Sequence, residues 1–223
     1  MILAAGRGER MRPLTEHTPK PLLKAGGKAL IEYHIERLTL AGVSDIVINI
    51  AYLGEQIRDA IGSQYTASKT HSASIHYSIE PEPLETAGAI LHALPLLGDD
   101  PFLLVNGDVW TDYPYDLLLN KTLQDALGHL VLVDNPSHNL SGDYSIVGGT
   151  LSPKDASALT FSGISLLSPE LITSHSACRK IFPLNEVFAE AIENKMLSAE
   201  YFTGQWWDIG TVERLRLLDS FLS

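Results

Sequence analysis

Apolar and polar positions along the chain follow two rhythms. Apolar runs at 45–50 (DIVINI), 75–79 (IHYSI) and 101–109 (PFLLVNGDV) read as strands, the last one buried on both faces. Between them the period becomes helical. Residues 30–41 put Leu30, Ile31, His34, Ile35, Leu38 and Ala41 on one face, and 52–61 (YLGEQIRDAI) and 86–97 (TAGAILHALPLL) also read as helices, the latter despite Pro95 near its end. Residues 2–4 read as the end of a buried strand. So few residues ahead of Gly6, against the roughly five or six of an ordinary strand, leave open whether the chain starts inside its first strand.

Beyond Asp108 the alternation loosens. Strands are expected at 129–133, 144–147, 159–167 and 199–202, and helices at 181–194 and 211–222. Strands alternating with helices predict an α/β fold with a mostly parallel central sheet and helices on both faces. No linker rich in Pro, Gly or Ser divides the chain and no short repeat runs through it, so residues 1–223 are expected to form a single domain. Its nucleotide-binding half is placed at 1–110 and its sugar-binding half at 111–223.

Composition narrows the class. The 223 residues, 45% hydrophobic, suffice for a substantial core. A lone cysteine, Cys178, and scattered histidines offer no disulfide and no zinc spacing. A reducing compartment is expected, and with no apolar stretch of about 20 residues and no signal-peptide pattern, a cytoplasmic protein without membrane contact. The formal charge of −11 argues against nucleic acid as a partner. Residues 1–28 depart from that balance, with six Lys and Arg against two acids. A small anion is expected near them.

Within that stretch Gly6 and Gly8 follow the first apolar run, ahead of Arg10 and Lys20. Glycines there let the backbone approach an anion at the carboxyl end of a parallel strand. The third position of a dinucleotide loop holds Met11, and the Walker pattern is absent. A plain tight turn with solvated arginines is the competing reading of these few residues.

The longer pattern L-A-A-G-x-G-x-R-x-x-P-L-T-x-x-x-P-K-P at 3–21, with PLETAGAI at 83–90, NGD at 106–108, SGI at 162–164 and WWDIGT at 206–211, resembles the sugar-1-phosphate nucleotidylyltransferases over essentially the whole chain. The resemblance implies a Rossmann-like nucleotide-diphospho-sugar transferase fold and attack of a sugar 1-phosphate on the α-phosphorus of a nucleoside triphosphate. It implies that Gly6, Gly8, Glu9 and Arg10 hold the triphosphate, that Arg10 stabilises charge on the transferred and leaving phosphates, and that Lys20 draws the sugar phosphate in. Asp108 and Asp208 would hold Mg²⁺, each having a helix cap or turn as its alternative role. Arg10, Lys20 and Asp108 are the catalytic candidates.

Uracil needs an acceptor for its imide N–H between donors for its carbonyls. Glu80 or Glu85 is a candidate acceptor, with the turn at 84–88 as donor. Guanine also carries a ring N–H, but guanylyltransferases commonly have glycine where this chain has Glu85. PLETAG and the segment 131–146 resemble instead the N-acetylmuramate 1-phosphate uridylyltransferases of peptidoglycan recycling, which implies UTP and a sugar 1-phosphate as partners. Asn106, Asp143 and Gly163 are then the sugar-side candidates, although Asp143 also suits a plain turn. No basic residue of the second half is an evident receiver for the lactyl carboxylate. Trp206, Phe161 and Tyr144 are expected to fill the core rather than stack on a sugar. A transferase for a mannose, heptose or glucose phosphate is the near alternative, and a noncatalytic regulatory relative the distant one. The joint presence of Arg10, Lys20, Asp108 and Asp208 argues against the latter. Oligomeric state has no sequence signal.

Overall fold

The computed structural model describes residues 1–223. It opens with β1 (Ile2–Leu3), a loop of three single 3-10 turns, the hairpin β2 (Lys24–Ala25) and β3 (Lys28–Ala29), and α1 (Leu30–Leu40). β4 (Asp45–Ile50), α2 (Gly54–Ile61), β5 (Gln64–Ser68), β6 (His71–Ile79), α3 (Glu85–Leu97), β7 (Phe102–Asn106), β8 (Val109–Thr111) and α4 (Asp116–Leu119) follow. The rest carries β9 (Gly128–Val133), β10 (Tyr144–Val147), β11 (Thr150–Pro153), β12 (Thr160–Leu167), α5 (Pro169–Thr173), α6 (Leu184–Glu193), β13 (Leu197–Tyr201), β14 (Trp206–Asp208) and α7 (Val212–Leu222). This is a Rossmann-like α/β fold. None of its helices is long and apolar enough to cross a membrane.

The residues pack as two compact units. The first comprises Met1–Pro83, Val105–Asp116 and Trp206–Ser223, the second Leu84–Leu104 and Leu117–Gln205. The C-terminal segment thus packs with the N-terminal residues, and the units do not follow a cut near residue 110.

In the first unit β1 runs parallel to β4 and to the end of β7. Ile2 lies opposite Ile48 and Val105, and Leu3 opposite Asn49 and Asn106. β6 continues the parallel set beyond β4, and β5 closes the edge antiparallel to it. β5 has no clear sequence signal because QYTAS is small and polar at an exposed edge. The expected face of α1 is buried apart from Ala41, which is its C-cap. Thr39 is buried instead, its hydroxyl donating to the Ile35 carbonyl at 2.7 Å. The strand expected over 101–109 divides into β7 and β8 at Gly107. The Gly107 N–H donates to the Leu3 carbonyl at 2.9 Å, and a Cβ there would stand 2.6 Å from that oxygen. Only glycine lets the chain turn so close to β1.

The second unit is mixed: β9 runs parallel to β13 and antiparallel to β12, while β10 and β11 form a hairpin. Gly148 and Gly149, at φ 59° and 82°, form its two-residue turn. The strands at 144–147 and 160–167 lie where apolar pattern placed them, whereas β13 begins two residues earlier than expected. α6 starts at Leu184 rather than 181 because Pro183 is extended at its N-cap. Tyr144 and Phe161 pack edge-on against Phe188, with centroids 6.4 and 5.7 Å away, but both, like Trp206, stay half-buried rather than enclosed in the core.

Candidate active site

Met11, at the position where a dinucleotide loop has its third glycine, anchors the N-terminal loop. Its fully buried side chain enters a cluster with Leu23, Leu30, Trp110, Ile209, Leu215 and Leu218. One apolar contact set therefore ties the loop to α1, β8, the end of β14 and α7. The first 3-10 turn, Glu9–Met11, starts at Gly8, which takes φ 64°. The Gly8 carbonyl accepts the Met11 N–H at 2.9 Å and the Thr15 hydroxyl at 2.8 Å. A Cβ at Gly8 would lie 2.9 Å from Thr15 Cγ2, so both shape and conformation demand glycine. Gly6 differs. It avoids positive φ, is exposed, and has open space where a Cβ would stand.

Lys20 is held by Pro19, extended at ψ 141°, and by Pro21 in the third 3-10 turn. Only 8% of Lys20 is exposed, and its Nζ donates to Asp108 Oδ2 at 2.6 Å. Asp108 lies between β7 and β8, and its carbonyl accepts the Ile209 N–H at 2.9 Å. An open cleft of about 310 Å³ brings together Gly6, Gly8, Glu9, Arg10, Lys20 and Asp108, with Met11 and Gly210 also on its wall. Arg10 and Glu9 are exposed at its rim. This gathering of a glycine turn, two cations and a carboxylate suits a polyphosphate.

Asp208 reaches the same neighbourhood through a two-stranded ribbon. β8 and β14 pair antiparallel with Asp208 opposite Val109 and Trp207 opposite Trp110, which brings the backbone at Asp208 beside that at Asp108 although a hundred residues separate them; of the two, Asp108 lines the cleft and Asp208 does not. Asp208 Oδ2 accepts from Arg214 Nη1 at 2.6 Å. Beneath the ribbon, buried His34 donates from Nε2 to the Val109 carbonyl at 2.6 Å and accepts at Nδ1 from the Tyr115 hydroxyl at 2.9 Å. Burial lowers its pKa from 6.5 to about 4, so it stays neutral.

The base-side candidates fare differently. Glu80 is 7% exposed, and its Oε1 accepts from Asn49 Nδ2 at 2.6 Å. Asn49 Oδ1 in turn accepts the Ala4 N–H at 2.8 Å, so this buried chain braces the residue two before Gly6. Glu85 is exposed and starts α3 at φ 62°. Two of the amides expected as donors near it, those of Ala87 and Gly88, instead donate to the Phe182 carbonyl at 3.1 and 3.2 Å. The donor set of the 84–88 turn is smaller than the sequence implied, because a distant loop caps the helix.

Asn106 ends β7, partly exposed. In the second unit, Asp143 accepts from Asn139 Nδ2 at 3.0 Å and from the Phe161 N–H at 2.9 Å, which ties its turn to β12. Gly163, at φ 78°, sits in the irregular register between β9 and β12. Sequence reasoning missed Arg214, Asn49 and the Phe182 carbonyl. For Arg214 the available signal was a basic residue in the first turn of a helix six positions after a candidate ligand.

Residues 1–147 match the model of the nucleotidyl transferase family. The chain belongs to that family, as an enzyme of the sugar-1-phosphate nucleotidylyltransferase type. It is 46% identical to the N-acetylmuramate alpha-1-phosphate uridylyltransferase of Neisseria meningitidis serogroup B, across 97% of this chain and 94% of that protein. It is 33% identical to a mannose-1-phosphate guanyltransferase of Schizosaccharomyces pombe, of which it spans 60%. Among solved structures, a UDP-glucose pyrophosphorylase from Acinetobacter baumanii aligns with TM-score 0.81 at 17% identity, covering 98% of this chain and 90% of that one. HddC from Yersinia pseudotuberculosis aligns with TM-score 0.78 at 24% identity, covering 100% and 98%. These two bear on the fold alone.

Proposed function

We propose that the protein transfers a uridylyl group from UTP to N-acetylmuramate α-1-phosphate, yielding UDP-N-acetylmuramate and pyrophosphate, as a cytoplasmic step in peptidoglycan recycling. The observation that carries the reading is the cleft joining Gly8, Arg10, Lys20 and Asp108 in a chain nearly half identical, end to end, to an enzyme of that name. The guanylyl alternative has weaker support: lower identity, a shorter span of the relatives, and Glu85 in place of glycine.

A phosphate oxygen of the sugar 1-phosphate attacks the α-phosphorus in line, and the bond from that phosphorus to the bridging oxygen breaks as pyrophosphate leaves. No protein nucleophile is required, so positioning and charge neutralisation carry the catalysis. Backbone at Gly6 and Gly8 cradles the triphosphate, with Glu9 at its edge. Arg10, on the exposed rim, neutralises charge building on the transferred and leaving phosphates. Lys20, its backbone fixed by two prolines, meets the incoming sugar phosphate. Glu85 or Glu80 accepts the uracil N–H, Glu80 with one oxygen already committed to Asn49. Asn106, Asp143 and Gly163 are assigned to the sugar side.

Mg²⁺ is assigned to Asp108 and Asp208. The donor types fit, since both are hard carboxylates, Asp108 on the cleft wall and Asp208 at the end of β14; the Oδ2 of each is held by Lys20 or Arg214 at 2.6 Å, so the metal would use the other oxygen or displace that cation. Mg²⁺ takes one or two carboxylates and completes its octahedron with water and phosphate oxygens. When bound it would offset negative charge on the phosphates.

The deciding assay supplies UTP or GTP with the 1-phosphates of N-acetylmuramate, N-acetylglucosamine, glucose or mannose and measures pyrophosphate release. UTP with N-acetylmuramate 1-phosphate is expected to be turned over best, and Asp108→Ala to abolish turnover. Preference for GTP and mannose 1-phosphate would transfer the assignment to the alternative. Normal turnover by Asp108→Ala would refute the metal assignment.

A further inference from the structure

We infer that Arg214 is the positioning residue for Asp208, and through it sets the affinity of the metal site. The inference rests on the metal assignment proposed above. Three features of residues 208–214 converge on one guanidinium. Its Nη1 donates to Asp208 Oδ2 at 2.6 Å. Thr211, the N-cap of α7, accepts the Arg214 backbone N–H at 3.3 Å and its Nε at 3.5 Å through the same hydroxyl. At Gly210 a Cβ would collide with Arg214 Nη2 and lie 3.3 Å from Asp208 Oδ1, so glycine clears the path between guanidinium and carboxylate. Gly210 is also on the wall of the cleft that holds Lys20 and Asp108. The clamp is carried on a fixed element, since Leu215 and Leu218 bury α7 in the cluster beneath the loop.

The pair is largely shielded, its side chains only 19% and 22% exposed, so it is not a loose surface contact. Its geometric effect falls on the ligand. A carboxylate at a strand end has free torsions, and a planar fork anchored at Nε and Nη1 removes them. Arg214 acts on the metal through Asp208.

The sign of the outcome separates positioning from charge. Removing a cation beside a metal site should tighten divalent binding if electrostatics alone operated, whereas losing the orientation of a ligand should weaken it. The test titrates Mn²⁺ into the full chain with UTP and no sugar phosphate, reading free Mn²⁺ by electron paramagnetic resonance, with the melting temperature recorded for each variant. Arg214→Met is expected to bind Mn²⁺ roughly tenfold more weakly than the wild type. Arg214→Lys should recover part of the loss. Gly210→Ala, which keeps the arginine and displaces its guanidinium, should weaken binding in the same direction and carries the test if Arg214→Met fails to fold. Unchanged or tighter Mn²⁺ binding in the folded variants, even with a lowered melting temperature, overturns the inference alone. A wild type that binds no Mn²⁺ overturns the metal assignment and the inference together.

Discussion

Glu85 occupies the left-handed region at φ 62° although it carries a side chain, at the exposed start of α3. That conformation costs a non-glycine residue about 1 kcal/mol or more. Replacing Glu85 by glycine removes this strain while adding flexibility to the unfolded chain, so the two effects nearly cancel. Urea denaturation of Glu85→Gly should show a change in stability below about 0.5 kcal/mol, against about 1 kcal/mol lost for glycine at an ordinary exposed helical site. With Glu85 as the acceptor for the uracil N–H, the same variant loses roughly tenfold in kcat/KM for UTP, the worth of one charged hydrogen bond. Unchanged kcat/KM for UTP would move that role to Glu80. At this scale the chain was most readable where a residue's type dictates its job. Gly8, Arg10 and Lys20, singled out through the family resemblance, do line one cleft, whereas the burial of Glu80 was hidden because its partner, Asn49, lies on another segment.

The elements show where a local pattern stops being informative. α1 was legible because its apolar positions repeat at the helical period over eleven residues. The ribbon of β8 and β14 was not, since WWD and VWT are too short to show a period and each needs the other for its hydrogen bonds. The start of α3 depends on a similar distant partner. The Phe182 carbonyl caps Ala87 and Gly88, and a Cβ at Gly88 would collide with the Lys180 carbonyl. Gly88→Ala should therefore destabilise the protein by about 1–3 kcal/mol, since backbone on both sides must shift to admit the methyl group. Chemical denaturation measures it. A neutral result would show that the 180–182 segment is free to move off the helix.

Across the whole molecule, buried His34 links stability to pH. Folding keeps it neutral down to about pH 4, while the unfolded chain binds a proton near 6.5. Between those values the unfolded state holds more protons, so stability falls as the pH is lowered through the window and stops falling on this account below about 4. The full effect is about 3 kcal/mol. Melting temperatures measured from pH 7 to 4 should decline for the wild type, and the decline should be shallower for His34→Gln, whatever that variant's stability at pH 7. Equal slopes would remove His34 as the cause. Because its Nε2 supports the Val109 carbonyl next to Asp108, the acid loss of stability and the loss of the ribbon should coincide.

By itself the sequence determined the features that consecutive residues can carry. These are the alternation of strands and helices, the glycine turn with its cations, and the residue types able to serve a phosphate-transfer site. Only the tertiary structure decided which of them meet. The backbones at Asp108 and Asp208 come side by side because two three-residue strands pair across a hundred residues. Glu80 is buried because Asn49 reaches it, and Arg214 clamps Asp208 because Gly210 leaves room. The physical reason is common to all three. Hydrogen bonds and ion pairs between distant segments leave no periodic trace, and form only after burial of Met11, Trp110, Ile209 and their neighbours has fixed the backbones that present them.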